Sequence, residues 1–503
     1  MLAHLSTAAI IGVEAVPVDV EVDIANGLPQ VTIVGLPDVA VQEARERIRT
    51  ALTNSGFSFP RTRVTINLAP ADLKKEGSGF DLPIALAILV ASRVLTAEDV
   101  RAFTVVGELA LDGSLRSVKG GLLYGFCAGK QKHDLLLPKG MDRQAACAPN
   151  ASVYAAVHLT DVVMHLKNKK PLARSSCPEQ PNLSRNDDDL AFVLGQEQAK
   201  RALLIAAAGS HSILFAGPPG TGKTMLARCL PTILPPLTLE EQMESTVLWS
   251  AAGALQTDQG LLAVRPFRNP HHSASAASLI GGGSRPKPGE ITLAHNGVLF
   301  LDECTEFTRS VLNMLREPLE SGKVTVARAE ATLTYPAKFL FVAATNPCPC
   351  GNAGNEQTVC TCSMSERQKY QKRLSGPLLD RIDMVVHVAR QPITQLHGTS
   401  GMDSAQARKL VALAKCRAHE RNGGKDNGLV PHKDIAKLMR MDSEAESWLL
   451  ACGERFSLSR RALDKVMRVA RTIADLDAAE LVQKHHVAEA LQYRVSRQQI
   501  FPG

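Results

Sequence analysis

The sequence predicts an α/β fold in three parts: a core built on a parallel sheet, an α/β domain ahead of it and a helical domain behind it. Three short apolar runs, Ser212–Ala216, Gly297–Leu301 and Lys338–Ala344, each lead into polar or glycine-rich segments, as buried strands of a parallel sheet do. Upstream, Val16, Val18, Val20, Val22 and Ile24 alternate with Asp19, Glu21 and Asp23, the period of a strand with one buried face. Beyond Gly398 the apolar spacing is helical throughout.

Residues 1–166 make the first block. After the alternating strand, Gln42–Leu52 carries helical spacing, Arg63–Leu68 is a second strand and Asp81–Leu95 is a mostly apolar helix. Asp112-Gly113 inside Glu108–Arg116 marks a hairpin turn between strands. Residues 167–189 turn polar, from Lys167-Asn-Lys-Lys-Pro171 to Asp187-Asp-Asp189, and read as a linker.

The core, 190–395, opens on its most specific motif. Gly217-Pro218-Pro219-Gly220-Thr221-Gly222-Lys223-Thr224 follows the first apolar run and precedes Met225–Leu230, the strand, loop and helix order of a phosphate-binding P-loop. Its glycines let successive N–H groups turn inward at the positive end of a helix dipole, which favours a triphosphate. Lys223 is placed to reach the β and γ phosphates of ATP, and the Thr224 hydroxyl to ligate Mg²⁺.

The second run delivers Asp302-Glu303 to the C-terminal edge of its strand, where open α/β sheets bind ligands. Asp302 is a Mg²⁺ ligand candidate, and Glu303 is placed to polarise a water attacking the γ phosphate. The third run ends in Thr345-Asn346, so Asn346 is a candidate to hydrogen-bond that phosphate or that water. Further on, Gly376-Pro-Leu-Leu-Asp380 carries Arg381 at the end of a short helix. Arg381 has the look of an arginine finger supplied to a neighbouring molecule; the competing reading is an ion pair with Asp380 or Asp383. Cys348, Cys350, Cys360 and Cys362 form two C-x-C units a short loop apart, a thiolate set that fits structural Zn²⁺ or remains as reduced thiols.

Residues 396–503 read as helices over Ala405–Arg421, His432–Met439, Ser443–Phe456, Ser459–Leu476 and His485–Val495. Ser459 is an N-cap candidate. Arg461, in the first turn, opposes the helix macrodipole and so asks for another partner; Arg460 competes for the same role.

Val193-Leu-Gly-Gln196, Arg265-Pro-Phe-Arg-Asn-Pro-His-His272, Gly281-Gly-Gly283, Pro288-Gly-Glu-Ile-Thr-Leu-Ala-His-Asn-Gly-Val-Leu-Phe-Leu-Asp-Glu303 and Leu315-Arg-Glu-Pro-Leu-Glu320 together resemble the YifB/ComM group of magnesium-chelatase-like AAA+ ATPases. Val31–Pro37, Ile66–Asp72 and Phe80–Ile84 extend the resemblance nearly to full length. It implies a Lon-protease-like N-terminal domain, an AAA+ core and an α-helical lid in which Arg461 touches the nucleotide phosphates. It also implies a hexamer that acts on DNA as an ATP-driven branch-migration helicase during natural transformation. The alternatives are a chelatase-type motor that remodels a protein partner and a Lon-like protease. For the last, Ser78 and Lys119 are the only tempting pair, yet the positions of a Lon-type nucleophile and lysine fall on Gly79 and Leu123. In the family's pattern the insertion before Asp302 projects loops into a ring channel, and Arg268, His271, His272, Arg285 and Lys287 fall in it. For the histidines, metal binding and core-packing or hydrogen-bonding roles compete with DNA contact.

Composition agrees with a soluble protein of the cytoplasm. No apolar run approaches the ~20 residues that span a bilayer, and the start lacks a basic n-region, so no secretory signal is expected. Eleven scattered cysteines suggest thiols rather than a disulfide framework. A net charge of +7 permits a nucleic-acid partner. With aromatics at 4%, stacking platforms have little material, and Lys/Arg contacts to phosphates are expected instead.

Overall fold

The computed structural model describes the chain except for residues 1, 179–187, 256–259, 283–286, 328–331, 355–357, 375, 391–400, 495–499 and 502–503. The linker expected at 167–189 therefore lies partly, and Gly283 and Arg285 wholly, outside the described residues. Two compact units are present, one of 1–182 with 242–262, the other of 183–241 with 263–503.

In the first unit a mixed seven-stranded sheet runs in the order Gln30–Val34, Arg63–Ala69, Glu14–Ala25, Leu2–Ile11, Phe103–Val105, Asp134–Pro138, Ser152–Ala156. The alternating strand buries Val18, Val20 and Val22 and turns Asp19 and Asp23 to solvent. Helix Asp81–Ala91 is buried at every position, which explains why it reads as apolar all round. Its one charge, Asp81, is held by a bidentate pair with Arg47 at 2.9 and 3.0 Å; burial still pushes that carboxyl up to about 6. The hairpin Glu108–Leu109 with Leu115–Arg116 turns at Asp112-Gly113, with Gly113 at φ +89°.

One pair departs from the expectation of thiols alone: Cys147 and Cys177 form a disulfide. They are 30 residues apart in sequence. The chain after Arg174 returns to the strand Ser152–Ala156, where Ser175 N–H donates to the Val153 carbonyl at 2.8 Å, and that return sets Cys177 beside Cys147.

The second unit is built on five parallel strands in the order Phe267–Arg268, Val298–Leu301, Leu340–Thr345, Ile213–Ala216, Met384–His387. The middle three are buried along their whole length, so their apolar runs follow from having both faces covered. Because all run the same way, their C-terminal ends share one edge.

The helices Ser404–Asn422, His432–Leu438, Ser443–Arg455, Arg460–Leu476 and Lys484–Gln492 follow. Ile473 and Val466 share one apolar core with Ile205 and Leu203 of helix Glu197–Gly209. Each such side chain contributes about 1.5–3 kcal/mol on burial. Arg201 adds contacts to Glu489 at 3.0 Å and Asp477 at 3.1 Å. Ser459 caps the long helix, its side chain accepting from Ala462 N–H.

Candidate functional site

Strand Ile213–Ala216 feeds the loop 217–222, and helix Lys223–Arg228 leaves it. The loop can curl because Gly220 and Gly222 sit at φ +77° and +88°, a region that favours glycine. Gly217 N–H donates to the Thr345 carbonyl at 3.2 Å, which ties the loop to the neighbouring strand. On the outer side Gln196 Nε2 donates to the Ala389 carbonyl at 2.7 Å.

Lys223 is nearly buried and points back into its own loop. Its ammonium donates to the Gly217 and Pro218 carbonyls, both at 2.7 Å, and to Asn346 Oδ1 at 3.1 Å. Three donors thus meet three acceptors, the full capacity of a lysine. Burial pulls this amine down from 10.5 to about 8, against the opposing pull of Asp302 and Glu303.

The Thr224 hydroxyl donates to Asp302 Oδ2 at 2.7 Å, while Asp302 Oδ1 accepts from Glu303 N–H at 3.0 Å. A hydroxyl and a carboxylate side by side at the mouth of a phosphate loop are the oxygen donors a Mg²⁺ ion takes, so these residues fit that ion.

Glu303 lies at φ +47°, a left-handed conformation that costs a non-glycine residue about 1–2 kcal/mol. Its carboxylate is 4.0 Å from His272 Nδ1. His271 and His272 are exposed, with ring centres 4.1 Å apart, so a packed-core role does not hold for them. Arg268 is engaged by Glu290 through two contacts of 2.6 and 2.7 Å, and Lys287 is exposed.

Of the sequence-derived candidates, the fold brings Lys223 onto Asn346 and the adjacent Thr224 onto Asp302, a set of two hydrogen-bonded pairs, and leaves Glu303 at its rim. Neither Arg381 nor Arg461 joins that set. Arg381 pairs with Glu320 and donates to the Pro377 carbonyl, facing a cavity of about 340 Å³ lined also by Asn313, Arg316 and Glu317. Its ion partner is neither Asp380 nor Asp383; Asp383 instead accepts from Ser212. Arg461 is exposed in the first turn of its helix, and Arg460 lies 3.5 Å from Asp464. Glu320 and His272 were not identified from the sequence as partners of these groups, since each pairing joins residues some 30 to 60 positions apart.

The four cysteines converge. Cys348, Cys350 and Cys360 have Sγ separations of 3.4, 3.6 and 3.5 Å, and all four Sγ atoms lie within 4.8 Å of one another. In the first unit, Ser78 Oγ donates to the Glu108 carboxylate rather than to a basic partner, and Lys119 is exposed. Gly79 and the buried Leu123 occupy the other two positions. Among the described residues no helix is long and apolar enough to cross a membrane.

With this geometry in view, comparison with known proteins gives a consistent answer. The family described as magnesium chelatase, subunit ChlI, matches residues 189–396, with further ChlI matches over 20–141 and, for the C-terminal part, 401–494. The chain is 44% identical to the protein YifB of Salmonella typhimurium, over 98% of this chain and 97% of that one. It is also 44% identical to competence protein ComM of Haemophilus influenzae, with the same coverage. A more distant similarity, 26% identity over 44% of this chain and 46% of the other, links it to Lon protease 2 of Bacillus subtilis.

Proposed function

Because this chain belongs to the YifB/ComM group of magnesium-chelatase-like AAA+ ATPases, we propose that it is a ring-forming, Mg-dependent ATP hydrolase that moves DNA. One observation carries the hydrolase part. Lys223, Thr224, Asp302 and Asn346 are hydrogen-bonded neighbours at the shared edge of three adjacent parallel strands.

On this reading the β and γ phosphates enter the loop 217–224, and Lys223 exchanges its carbonyl acceptors for phosphate oxygens. Thr224 and Asp302 hold Mg²⁺, which when bound neutralises phosphate charge. Asn346 orients the γ phosphate, and Glu303, exposed at the rim, polarises the attacking water. Arg381 of a neighbouring copy meets the charge that develops in the transition state, and Arg461 contacts the phosphates from the helical lid. The four cysteines fit Zn²⁺ as a structural ion that takes no part in the reaction.

The finer role is branch migration and recombination during natural transformation, in the cytoplasm, by a hexamer with DNA in its channel. It is supported by the likeness to a competence protein and by the net charge of +7. A second reading, a motor that remodels a protein partner, is favoured by the capture of Arg268 by Glu290, which occupies one cation of the channel insertion. The peptidase reading loses support because Ser78 is bonded to Glu108. ATP turnover measured with branched, single-stranded and duplex DNA, and with protein preparations in its place, separates these. Stimulation by branched DNA is expected; turnover indifferent to every DNA would remove the DNA motor.

A further inference from the structure

We propose that Cys348, Cys350, Cys360 and Cys362 hold one Zn²⁺ ion whose work is to fasten the strand exit carrying Asn346 onto the phosphate loop.

The donor set decides the ion first. Four thiolates around zinc at about 2.3 Å in a tetrahedron have sulfur separations of about 3.8 Å. The 3.4 to 3.6 Å among Cys348, Cys350 and Cys360 lie just inside that value, so these sulfurs need part by only a few tenths of an ångström to hold the ion. They are far from the ~2.0 Å of a disulfide, and four sulfurs within 4.8 Å suit a mononuclear site, for which tetrahedral sulfur ligation points to zinc. Two backbone amides aim at the cluster, Cys350 N–H at Cys362 Sγ (3.3 Å) and Ala353 N–H at Cys348 Sγ (3.2 Å). Such donors stabilise thiolate charge and orient metal ligands. The ion takes the cysteines as thiolates, and the protons that the thiols still carry are released to solvent on binding.

Position then says what the ion is for. Cys348 follows Asn346 by two residues, and Asn346 Oδ1 is the side-chain acceptor of Lys223. Gly351, inside the knuckle at φ +79°, lies against the P-loop so closely that a Cβ there would stand 2.4 Å from Pro219 Cδ. Its N–H closes the turn on the Cys348 carbonyl at 2.9 Å. The knuckle therefore touches the nucleotide site twice, through the chain to Asn346 and through Gly351 to Pro219. Zinc at its centre removes the freedom of the loop that makes both contacts.

The inference rests on the reading of 217–224 as the nucleotide site. Full-length protein, purified reduced and without chelator, should contain about one zinc per chain by elemental analysis, released by a mercurial and lost in Cys350→Ser with Cys360→Ser. Stripping the zinc should weaken ADP binding by about tenfold or more, because the Asn346 contact that sets Lys223 and the Gly351 contact with Pro219 are both displaced. Gly351→Ala keeps all four thiols, so it should retain zinc and still bind ADP more weakly, which guards against a cysteine variant that merely fails to fold. No zinc, iron at the same stoichiometry, or four thiols paired as disulfides would overturn the site. Zinc present with ADP affinity unmoved by stripping or by Gly351→Ala would overturn the clamp. If Lys223→Ala bound ADP normally, the nucleotide-site reading would fail instead, while the zinc count would still stand.

Discussion

The two halves of the proposed reaction centre are built to different degrees. Lys223, Thr224, Asp302 and Asn346 are assembled within one chain, with the Lys223 ammonium and the Thr224 hydroxyl both matched, whereas Arg381 rests on Glu320 and Arg461 is exposed to solvent. The first group is fixed to two strand ends and to the start of the helix that leaves the loop 217–222, and on the proposed reading it grips a triphosphate within one chain. The second consists of long cations at helix ends, where a small movement changes their partners. On that reading one chain supplies phosphate binding, while the groups proposed to meet transition-state charge await a change of partner. Binding and turnover should accordingly be separable by mutation.

The largest effect is expected at Arg381. Arg381→Ala should bind ATP nearly as the parent does yet hydrolyse it slower, on the order of 10³ to 10⁵-fold. Mixing it with Glu303→Gln protein should restore some turnover, because mixed rings contain interfaces where both residues are intact; subunit exchange is verified first by labelled copies. Verified mixed rings with no activity above either variant would mean that Arg381 acts within its own chain. Glu303→Gln alone should slow single-turnover hydrolysis by about 10² to 10⁴-fold with the nucleotide dissociation constant little changed, and normal turnover would remove Glu303 from water activation.

Much of the assembled half was legible because its signals are local. A glycine-rich loop between an apolar strand and a helix, an acidic pair at the end of a second strand, and Ser459 ahead of a helix each declare themselves within ten residues. What the sequence left open depends on partners far along the chain. Arg381 meets Glu320 across 61 positions and Ser212 meets Asp383 across 171, and no spacing rule reaches that far. The same applies to Cys147 and Cys177, brought together by a strand-edge return. The grouping of 242–262 with the first unit is likewise invisible to a reading that cuts the chain into consecutive blocks. The internal satisfaction of Lys223 was missed for another reason: two of its three acceptors are backbone carbonyls, which carry no residue signature.

That internal satisfaction sets a pH dependence. Burial has lowered the Lys223 amine to about 8, so the empty site loses the lysine charge as pH rises through 8. Bound phosphates favour the charged form, hence the bound amine titrates higher. Between the two values binding takes up a proton, and ATP affinity should fall by up to about tenfold per pH unit; below 8 this group adds no dependence. The sign for stability is opposite: between 8 and the ordinary amine value of 10.5 the unfolded chain holds more protons than the native one, so the penalty this buried amine imposes on the native state, full below 8, is relieved as pH rises to 10.5. Dissociation constants measured from pH 7 to 9.5 check the first statement, and a flat profile would mean that Lys223 keeps its proton in the empty site.

The smallest expected effect tests whether Glu320 is a resting partner or a brace. Its side chain is 56% exposed while that of Arg381 is 13% exposed, so the pair is partly screened and contributes less than about 1 kcal/mol. A carboxylate that holds Arg381 also competes with any phosphate for it. Glu320→Ala should therefore leave thermal stability almost unaltered and keep ATP turnover at the parent rate or raise it by at most about fivefold, the kinetic equivalent of that energy. The comparison needs saturating ATP and several protein concentrations, so that a change in assembly is not mistaken for a change in chemistry. If Glu320 instead aims Arg381 at a neighbour's nucleotide, its removal would slow turnover toward the level of Arg381→Ala without altering ATP affinity. That outcome would turn the exposed carboxylate from a competitor into part of the reaction centre, and the second half of the site would prove to be as fully built as the first.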